Sequence, residues 1–357
     1  MPAITYLLPI RSAAPPSTEL TDYLRWVSSL CRLIVVDGSP EPVFVAADRD
    51  WSAIAEHVAP DDRFRCANGK VHGVLTGLDL VTTDLVVIAD DDVRYTEADL
   101  RRLTVALDHA DLVMPQNYFQ PLPWHARWDT ARTLLNRISG GDFAGTIGVR
   151  TELLRRTGAY DGDVLFENLE LMRTVAVAGG VARRAEDLYV LRLPPTFSRF
   201  GGQRVRQAYD ELARPRRFVA WLLAVPTAFV LLRSRRHLAM FCVATVGLAE
   251  VGRRRHGGSS KFHWSCSLFA PAWVAERSVC VWIALVLRLR GGVAYGGRRI
   301  VVAANSNRTL RRRMAHRTNR SRSDGVWTKH DRLHCLPRGG DGGRRRLLHA
   351  ARQWERG

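Results

Sequence analysis

The sequence lacks the cysteine patterns that define zinc sites and disulfide-rich domains. Its six cysteines are scattered singly, with no CxxC pair and no zinc-ligand spacing. This absence predicts reduced, structural thiols in a protein that faces the cytosol. The N-terminal stretch MPAITYLLPIRSAAPP also lacks a basic region followed by a long apolar core. We therefore expect no signal peptide, and we interpret residues 4–10 as a first β-strand.

An even spread of positive charge is also missing. Residues 301–357 contain 15 Lys and Arg against 4 Asp and Glu, so they supply +11 of the net charge of +18. This segment is rich in Arg, Gly and His and has no sustained hydrophobic periodicity, which predicts a basic, disordered tail. Anionic lipid or nucleic acid remains a possible ligand of the tail alone. We expect no specific nucleic-acid partner for the rest of the chain.

No apolar run reaches the roughly 20 residues that span a bilayer comfortably. Shorter uncharged runs lie at 218–232, 238–249 and 278–287, flanked by basic clusters and with Trp near their ends. Buried core helices are one interpretation of these runs. The basic flanks and the Trp residues instead favour a membrane-associated helical region over residues 214–300, built from a tight hairpin, re-entrant helices or in-plane helices.

Up to residue 213, short apolar runs alternate with helical segments. Strands are predicted at 4–10, 33–38, 43–47 and 85–89, and helices at about 18–30, 51–58, 70–82 and 97–109. This alternation predicts an α/β sandwich around a mostly parallel sheet. Ligands of such sheets gather at the carboxyl ends of the strands.

Three consecutive aspartates, Asp90, Asp91 and Asp92, end the apolar run LVVIA. Like charges side by side repel each other, and buried carboxylates need compensation. Residues two apart on an extended segment face the same way, so Asp90 and Asp92 can converge on a divalent cation such as Mg²⁺ or Mn²⁺. Asp91 is counted with the substrate-binding candidates. An acidic loop or a helix cap is the alternative interpretation.

Two further stretches belong to the same predicted edge of the sheet. Asp37 ends the strand LIVVD, where its carboxylate can accept hydrogen bonds from a uracil or a ribose. Lys70 follows Asn68-Gly69 at a predicted helix start, and both a helix N-terminus and a lysine suit a diphosphate. Small residues at 69, 73 and 77 share one helix face and allow close backbone approach.

The order LLPIR, VVDGSP, NGKVHG and VVIADDDV resembles a family 2 glycosyltransferase of the GT-A fold over residues 4–213. The resemblance implies transfer of a sugar from a UDP- or GDP-sugar to an acceptor, with inversion, assisted by Mg²⁺ or Mn²⁺. It makes residues 1–213 the catalytic domain, followed by the membrane-associated region 214–300 and the tail 301–357. The residues that match the family pattern are Pro9, Arg11, Asp37 and Lys70 near the nucleotide and Asp90 and Asp92 at the metal.

Residues 140–180 resemble the acceptor half of the same family, in which an acidic pair supplies the general base. Here the pair is Glu167-Asn168, and an amide cannot take a proton. Glu167 is one candidate base. Glu170, Asp163 and Asp161 are the alternatives, and a weak or differently tuned enzyme is the third interpretation.

Residues 197–211 resemble the Q-x-x-R-W segment of membrane-bound members such as ceramide glucosyltransferases and hyaluronan or cellulose synthases. Gln203 and Arg206 match, and Gln207 replaces the Trp, which argues against processive polymer synthesis. Arg206, with Arg204 nearby, is expected to stabilise the departing diphosphate. This resemblance implies a lipid or glycan acceptor and a location at the cell membrane, with the catalytic domain facing the cytoplasm.

Two choices remain open from the sequence. The aromatic residues Tyr118, Phe119, Trp124 and Trp128 either line the acceptor site or fill the core. A non-catalytic nucleotide-sugar-binding protein is the alternative function, consistent with the missing acid and the missing Trp. A nucleotidyltransferase is disfavoured because PIRSAAPP offers one Arg and no Gly to cradle phosphates.

Overall fold

The computed structural model describes residues 3–231 and 233–323. The strands are β1 Ile4–Ile10, β2 Arg32–Asp37, β3 Glu56–Val58, β4 Leu85–Ala89, β5 Val93–Arg94, β6 Leu112–Phe119, β7 Thr146–Arg150, β8 Ala182–Arg192, β9 Val293–Tyr295 and β10 Arg298–Ile300. The α-helices are α1 Thr18–Ser28, α2 Glu41–Trp51, α3 Gly69–Leu80, α4 Glu97–Leu107, α5 Trp124–Ile138, α6 Thr151–Thr157, α7 Glu167–Val177, α8 Phe197–Tyr209, α9 Pro215–Leu231, α10 Arg235–Arg254, α11 Ala270–Leu289 and α12 Asn307–Ser323. Short 3₁₀ helices cover Asp62–Phe64, Asp210–Ala213, Arg255–Ser260 and Trp264–Phe269.

One eight-stranded sheet organises the first two hundred residues, in the order β3-β2-β1-β4-β7-β6-β8-β5. β3, β2, β1 and β4 run parallel, β7 is antiparallel to both neighbours, and β8 is parallel to β6. The predicted α/β class and the mostly parallel sheet are confirmed. Because β1, β2 and β4 run the same way, Ile10, Asp37 and Ala89 end at one edge of the sheet.

Both faces of this sheet are covered, which explains why its strands are continuous apolar runs. Along β1, Tyr6 and Leu8 pack on the side of α1, α2 and α4, and Leu7 packs on the side of α3, α6 and α7. β4 divides in the same way, with Val87 on the first side and Ile88 on the second. The two-residue period of the strands thus builds two hydrophobic cores from one sheet.

The predictions for residues 43–47 and 51–58 are wrong. The segment VFVAA, predicted as a strand, lies inside α2. Residues 51–58, predicted as a helix, contain the last residue of α2, a turn and strand β3. Two prolines favour a helix start here. Pro40 precedes the helix and Pro42 lies in its first turn, where the N–H that proline lacks would have no partner within the helix. Ala47 and Trp51, one turn apart, form the buried face of α2.

The predicted hydrophobic region packs directly on the α/β part. One hydrophobic cluster joins Phe166 and Tyr209 to Phe218 on α9 and Val281 on α11. A second cluster includes Leu134 of α5 and Trp273 of α11. Two cores therefore cross the predicted boundary at residue 213.

The tail prediction is wrong at the start of its segment. The backbone N–H groups of Leu165 and Phe166 donate to the carbonyls of Val302 and Ala303 over 3.0 and 2.8 Å, and α12 follows at Asn307–Ser323. These bonds attach residues 301–306 to the entry of α7. The rest of the predicted tail, residues 324–357, lies outside the described residues.

The outer faces of the C-terminal helices are apolar and exposed. They include Val219 and Leu223 on α9, Leu238, Met240 and Val243 on α10, and Val279, Trp282, Ile283 and Val286 on α11. By length and composition, one helical stretch in the described part of the chain, Trp264–Leu289, is apolar enough to cross a membrane, and part of it is buried against the protein. Exposed apolar patches of this kind mark surfaces that meet a partner or a lipid phase.

Candidate functional site

A cavity of about 940 Å³ opens at the carboxyl ends of β1, β2 and β4. Its lining includes the sequence-predicted Pro9, Arg11, Asp37, Lys70, Asp90, Asp91, Asp92, Glu167, Gln203 and Arg206. Helices α3, α5, α7, α8 and α11 complete its walls. The structure therefore brings these ten predicted site residues together in one cavity.

Asp37 is buried at the end of β2 and already holds two partners. Its Oδ1 accepts from the Ser39 N–H at 2.8 Å, and its Oδ2 lies 3.4 Å from His57 Nε2. Burial alone would raise the pKa of Asp37, but the hydrogen bonds from His57 and Ser39 outweigh it and lower that pKa. Burial likewise would lower the pKa of His57, and its bonds to Asp37 and Asp48 raise it instead. Asp37 is thus a fixed carboxylate at the cavity wall.

Lys70 links two acidic residues from different parts of the chain. Its Nζ lies 2.6 Å from Asp90 Oδ1 and 3.0 Å from Glu167 Oε1. Burial would lower the pKa of Lys70, but Asp90 and then Glu167 raise it well above its usual value. The Asn68 side chain caps α3 by accepting from the Lys70 N–H at 3.1 Å, which orients the helix start towards the cavity. Lys70 is therefore a permanent cation in the middle of the site.

Arg192, at the end of β8, lies between the two carboxylates that were predicted to hold a metal. Its Nε is 2.9 Å from Asp92 Oδ1, and its Nη2 is 3.2 Å from Asp90 Oδ2. Burial would raise the pKa of Asp90, but Lys70 and Arg192 lower it. The pKa of Asp92 is raised, because burial and the charge of Asp90 outweigh its bond to Arg192.

The two carboxylates predicted to hold a metal differ in how far they are already paired, since Arg192 engages only Oδ1 of Asp92. Asp90 has both oxygens engaged, one by Lys70 and one by Arg192. Among residues 3–231 and 233–323, no three His, Cys, Asp or Glu side chains are grouped to hold a metal ion. A divalent cation that binds Asp90 would compete with Lys70 and Arg192 for its oxygens.

A small loop fixes the back of this charged group. A Cβ on Gly145 would stand 2.7 Å from Asp90 Oδ2 and 2.9 Å from Arg192 Nη1, so a larger residue would have to shift these two side chains. The amide of Asn168 donates to the Ala144 carbonyl at 2.9 Å. The residue that replaces the second acid of the pair thus holds the loop beside Asp90.

The structure turns several predicted alternatives away from the cavity, which corrects their assignment. Glu170 is fully buried, and its two oxygens accept from the Asn305 side chain and N–H at 2.8 and 2.7 Å. Asp163 accepts from the Ala67 N–H at 2.9 Å, and Asp161 pairs with Arg313 at 2.6 Å. None of these carboxylates lines the cavity. Each instead satisfies a backbone or cationic group in the core, so Glu167 is the only predicted base that faces the site.

Arg204 is likewise outside the cavity, contrary to its predicted role at the diphosphate. It is buried against α5, with Nη1 3.1 Å from Asp129 Oδ1. Arg206, two residues on, does line the cavity, and its guanidinium stands 5.3 Å from the centre of the Tyr295 ring. The two arginines point apart because neighbouring residues on a helix face different directions.

Sequence reasoning missed four contributors to the site. Arg192 lies a hundred residues after the aspartates that it bridges, and His57 supports Asp37 from behind. Asp210 follows the Q-x-x-R segment and lines the cavity, and burial, followed by the charge of Glu167, raises its pKa well above the usual value. The hairpin β9–β10 adds Tyr295 to the lining. Only Asp210 had a local signal, its position immediately after α8.

The predicted aromatic cluster packs between helices and lies outside the cavity lining. The Trp124 ring lies 5.5 Å from Phe197 and 6.0 Å from Phe200, between α5 and α8. Trp128 Nε1 donates to Glu276 Oε2 on α11 at 2.5 Å. The cluster therefore contacts neighbouring helices outside the cavity, but it does not fill the core throughout, since Trp124 is 50% exposed.

Comparisons with known proteins give only distant likenesses. No protein-family description matches the sequence, and no curated protein matches it. A mannosyltransferase from Pyrobaculum calidifontis in complex with GDP-Man and Mn²⁺ is 15% identical, with 92% of this chain and 82% of that chain covered and a TM-score of 0.44. Glucosyl-3-phosphoglycerate synthase from M. tuberculosis is 19% identical over 56% of this chain and 76% of its own, with a TM-score of 0.38. Likenesses this distant establish neither a family nor an activity for this chain.

Proposed function

We propose that this chain is a glycosyltransferase of the GT-A fold that transfers a sugar from a nucleoside-diphosphate sugar to an acceptor hydroxyl. The convergence of Asp37, Lys70, Asp90 and Glu167 in one cavity at the strand ends carries this proposal. A carboxylate held by neighbouring hydrogen bonds suits the hydroxyls of a ribose. Buried cations suit a diphosphate, and a carboxylate beside them suits an attacking hydroxyl.

The chain's own residues supply a direct displacement. Lys70 and Arg192 stabilise the negative charge that develops as the nucleoside diphosphate departs. Glu167 takes the proton of the acceptor hydroxyl as its oxygen attacks the anomeric carbon from the opposite side, which inverts that centre.

The predicted Mg²⁺ or Mn²⁺ belongs to the proposal only as a competitor of Arg192 for Asp90 and Asp92. The displacement described above uses Lys70 and Arg192. A cation would supply additional charge stabilisation at the diphosphate when bound.

We further propose that the protein acts at the cytoplasmic face of the cell membrane on a lipid or glycan acceptor. The exposed apolar faces of α9, α10 and α11 support this location, since amphipathic helices lie in the membrane interface. A non-catalytic nucleotide-sugar-binding protein is the second candidate. It is favoured by Asn168, whose amide is committed to the Ala144 carbonyl.

The test uses the purified full chain with a panel of nucleoside diphosphates and their sugars, with and without Mn²⁺. A cognate donor stabilises the folded protein by mass action, by about 2.7 kcal/mol at a donor concentration a hundred times its Kd. This stabilisation raises the melting temperature. Release of nucleoside diphosphate from the donor measures turnover. A protein that neither gains stability with any donor nor releases diphosphate contradicts the proposal.

Two variants separate binding from catalysis. Glu167→Gln is expected to keep donor binding and to lower turnover by about 10²- to 10⁴-fold, the usual contribution of a general base. Glu152→Gln, at an exposed position on α6, is the matched control and should behave as the parent. Donor binding without turnover in the parent chain itself would favour the non-catalytic alternative.

A further inference from the structure

The cavity continues past the proposed donor site into a part lined by α5, the end of α8, α9 and α11. In this part three guanidiniums surround one carboxylate. Glu211 Oε2 lies 3.3 Å from Arg214 Nη2 and 3.0 Å from Arg217 Nε, and Glu211 Oε1 lies 4.0 Å from Arg277 Nη1. We call Arg214, Arg217 and Arg277 the arginine cluster. One carboxylate does not neutralise three arginines, so the cluster has surplus positive charge.

Other carboxyls near this part, among them Asp210 and Glu276, offset some of this charge without an ion pair to the cluster. Arg132 is matched by Asp129 at 3.0 Å and by Asp142 at 2.6 Å, which leaves both acids committed. Asp210 also lines this part and forms no ion pair within 4 Å among the described residues, although the charges of Arg277 and Arg214 lower its pKa against burial and Glu167. An anionic ligand would place a second countercharge in direct contact with the cluster.

Buried hydrogen-bond donors in the same wall are left without an acceptor. Trp273 is 1% exposed and Arg277 is 2% exposed, and both line the cavity. Neither Trp273 Nε1 nor Arg277 Nε has a hydrogen-bond partner in the part of the chain that the structure describes, and the same is true of Arg214 Nε. Buried N–H groups are nearly always paired in folded proteins. Gln207 Oε1 and Glu211 Oε2 in the same lining also lack a hydrogen-bond partner among the described residues, so this wall presents three donors and two acceptors to a ligand.

Helix α11 connects this wall to the apolar surface of the protein. Trp273 and Arg277 face inward, and Val279, Trp282 and Ile283 are exposed on the outer side of the same helix. A molecule with a charged head and an apolar tail matches this arrangement. Its head would meet the arginine cluster, and its tail would lie with the lipid phase beside α11.

We propose that the arginine cluster is the acceptor subsite and that the acceptor carries a phosphate group. This inference rests on the proposed function, because it takes the other end of the cavity as the donor site. Guanidinium groups match phosphate oxygens in geometry as well as charge, and a phosphate accepts from several donors at once. A phosphorylated lipid and a small soluble phosphate ester share this chemistry. The apolar face of α11 favours the lipid.

The experiment measures binding of farnesyl phosphate, farnesol and glycerol 3-phosphate to the full chain in detergent. Each titration is run with and without the nucleoside diphosphate that gives the largest thermal shift, which occupies the donor end. Farnesyl phosphate is expected to bind at least about tenfold more tightly than farnesol, the gain expected for charge-assisted bonds to a phosphate. Equal binding of the two prenyl compounds overturns the proposal.

Neighbouring arginines on α9 provide matched variants. Arg217→Gln should weaken farnesyl phosphate binding by about tenfold, whereas Arg216→Gln, at an exposed position outside the cavity, should leave it unchanged. Arg217→Lys keeps the charge and loses the fork, so an intermediate affinity is expected. Melting temperatures show that each variant is folded. An equal effect of the substitutions at 216 and 217 contradicts the assignment.

The remaining outcomes separate the source of the phosphate and the two proposals. If glycerol 3-phosphate competes at an affinity similar to that of farnesyl phosphate, the phosphate-binding site stands and the proposed lipid acceptor is contradicted. A protein that binds farnesyl phosphate through Arg217 but binds no nucleotide refutes the proposed function and keeps the anion site. A protein that binds nucleotide but does not distinguish farnesyl phosphate from farnesol refutes the subsite alone.

Discussion

Arg192 is the residue whose position has the clearest chemical consequence. Its guanidinium bridges Asp90 and Asp92, so it competes with a divalent cation for these carboxylates. Arg192→Gln removes the competing charge, and we expect the affinity of the nucleotide-free protein for Mn²⁺ to rise by about tenfold, since the competing charged hydrogen bonds are worth that much. Isothermal titration with MnCl₂ measures this directly.

The matched control for this prediction is Arg102→Gln. Arg102 pairs with Asp187 on the surface, outside the cavity. Its substitution should therefore leave the Mn²⁺ affinity unchanged. If Arg192→Gln binds Mn²⁺ no better than the parent, Asp90 and Asp92 do not form a cation site even when freed. Tighter binding in the control as well would show a non-specific charge effect.

At this scale, the sequence predicted the residues that share one strand edge and missed those that depend on distant contacts. Asp37 and Asp90 end parallel strands, so the topology alone brings them together. Glu170 resembled a base from its position on α7, but its partner Asn305 lies 135 residues later and holds it in the core. No local pattern contains such a contact.

Among the elements, α3 shows how glycine spacing sets the approach of a helix to the sheet. A Cβ on Gly77 would stand 2.1 Å from Leu7 Cδ1, whereas a Cβ on Gly69 meets no atom within 4 Å. Gly77→Ala is therefore expected to lower the free energy of unfolding by about 1–3 kcal/mol through overpacking. Gly69→Ala should be neutral or slightly stabilising, because alanine favours the helix.

Urea denaturation of both variants measures this difference. An unchanged midpoint for Gly77→Ala would show that Leu7 changes rotamer without cost. The prediction from sequence, that residues 69, 73 and 77 allow close approach, holds at Gly73 and Gly77, where an added Cβ meets β1 at 3.0 Å or less. It does not hold at Gly69. The spacing identified the face of the helix but not where along that face the sheet comes close.

Elements whose type depended on proline were harder to predict than those that depended on periodicity. The run VFVAA has strand composition, yet Pro40 and Pro42 place it in α2. By contrast Thr96, with Asp99 three residues later, marks the start of α4, and the structure has the full capping box there. A helix cap is a local pattern that can be recognised in the sequence. Whether a short apolar run forms a helix or a strand depends on the residues that it packs against.

On the scale of the whole molecule, the C-terminal helices serve two surfaces at once. Their inner faces share cores with the α/β part, through contacts such as Trp221 on Trp273 and a backbone approach that leaves no room for a Cβ at Gly252 beside Leu134. Removal of everything after residue 213 would therefore take core residues with it. A test of the membrane surface must change exposed side chains and leave the cores intact.

Val279 and Val105 allow such a test with the same substitution. Both are exposed, at 56% and 61%, but Val279 lies on the apolar outer face of α11 and Val105 on α4. Val279→Asp is expected to weaken binding to phosphatidylglycerol vesicles by about tenfold or more. On the membrane the valine would be buried in the lipid interface, which is worth about 1.5–3 kcal/mol, and the substitution puts a charge there instead. Val105→Asp should co-sediment as the parent does. If both variants bind the vesicles as the parent does, the membrane contact lies elsewhere. If both lose binding, net charge and not the α11 face decides attachment.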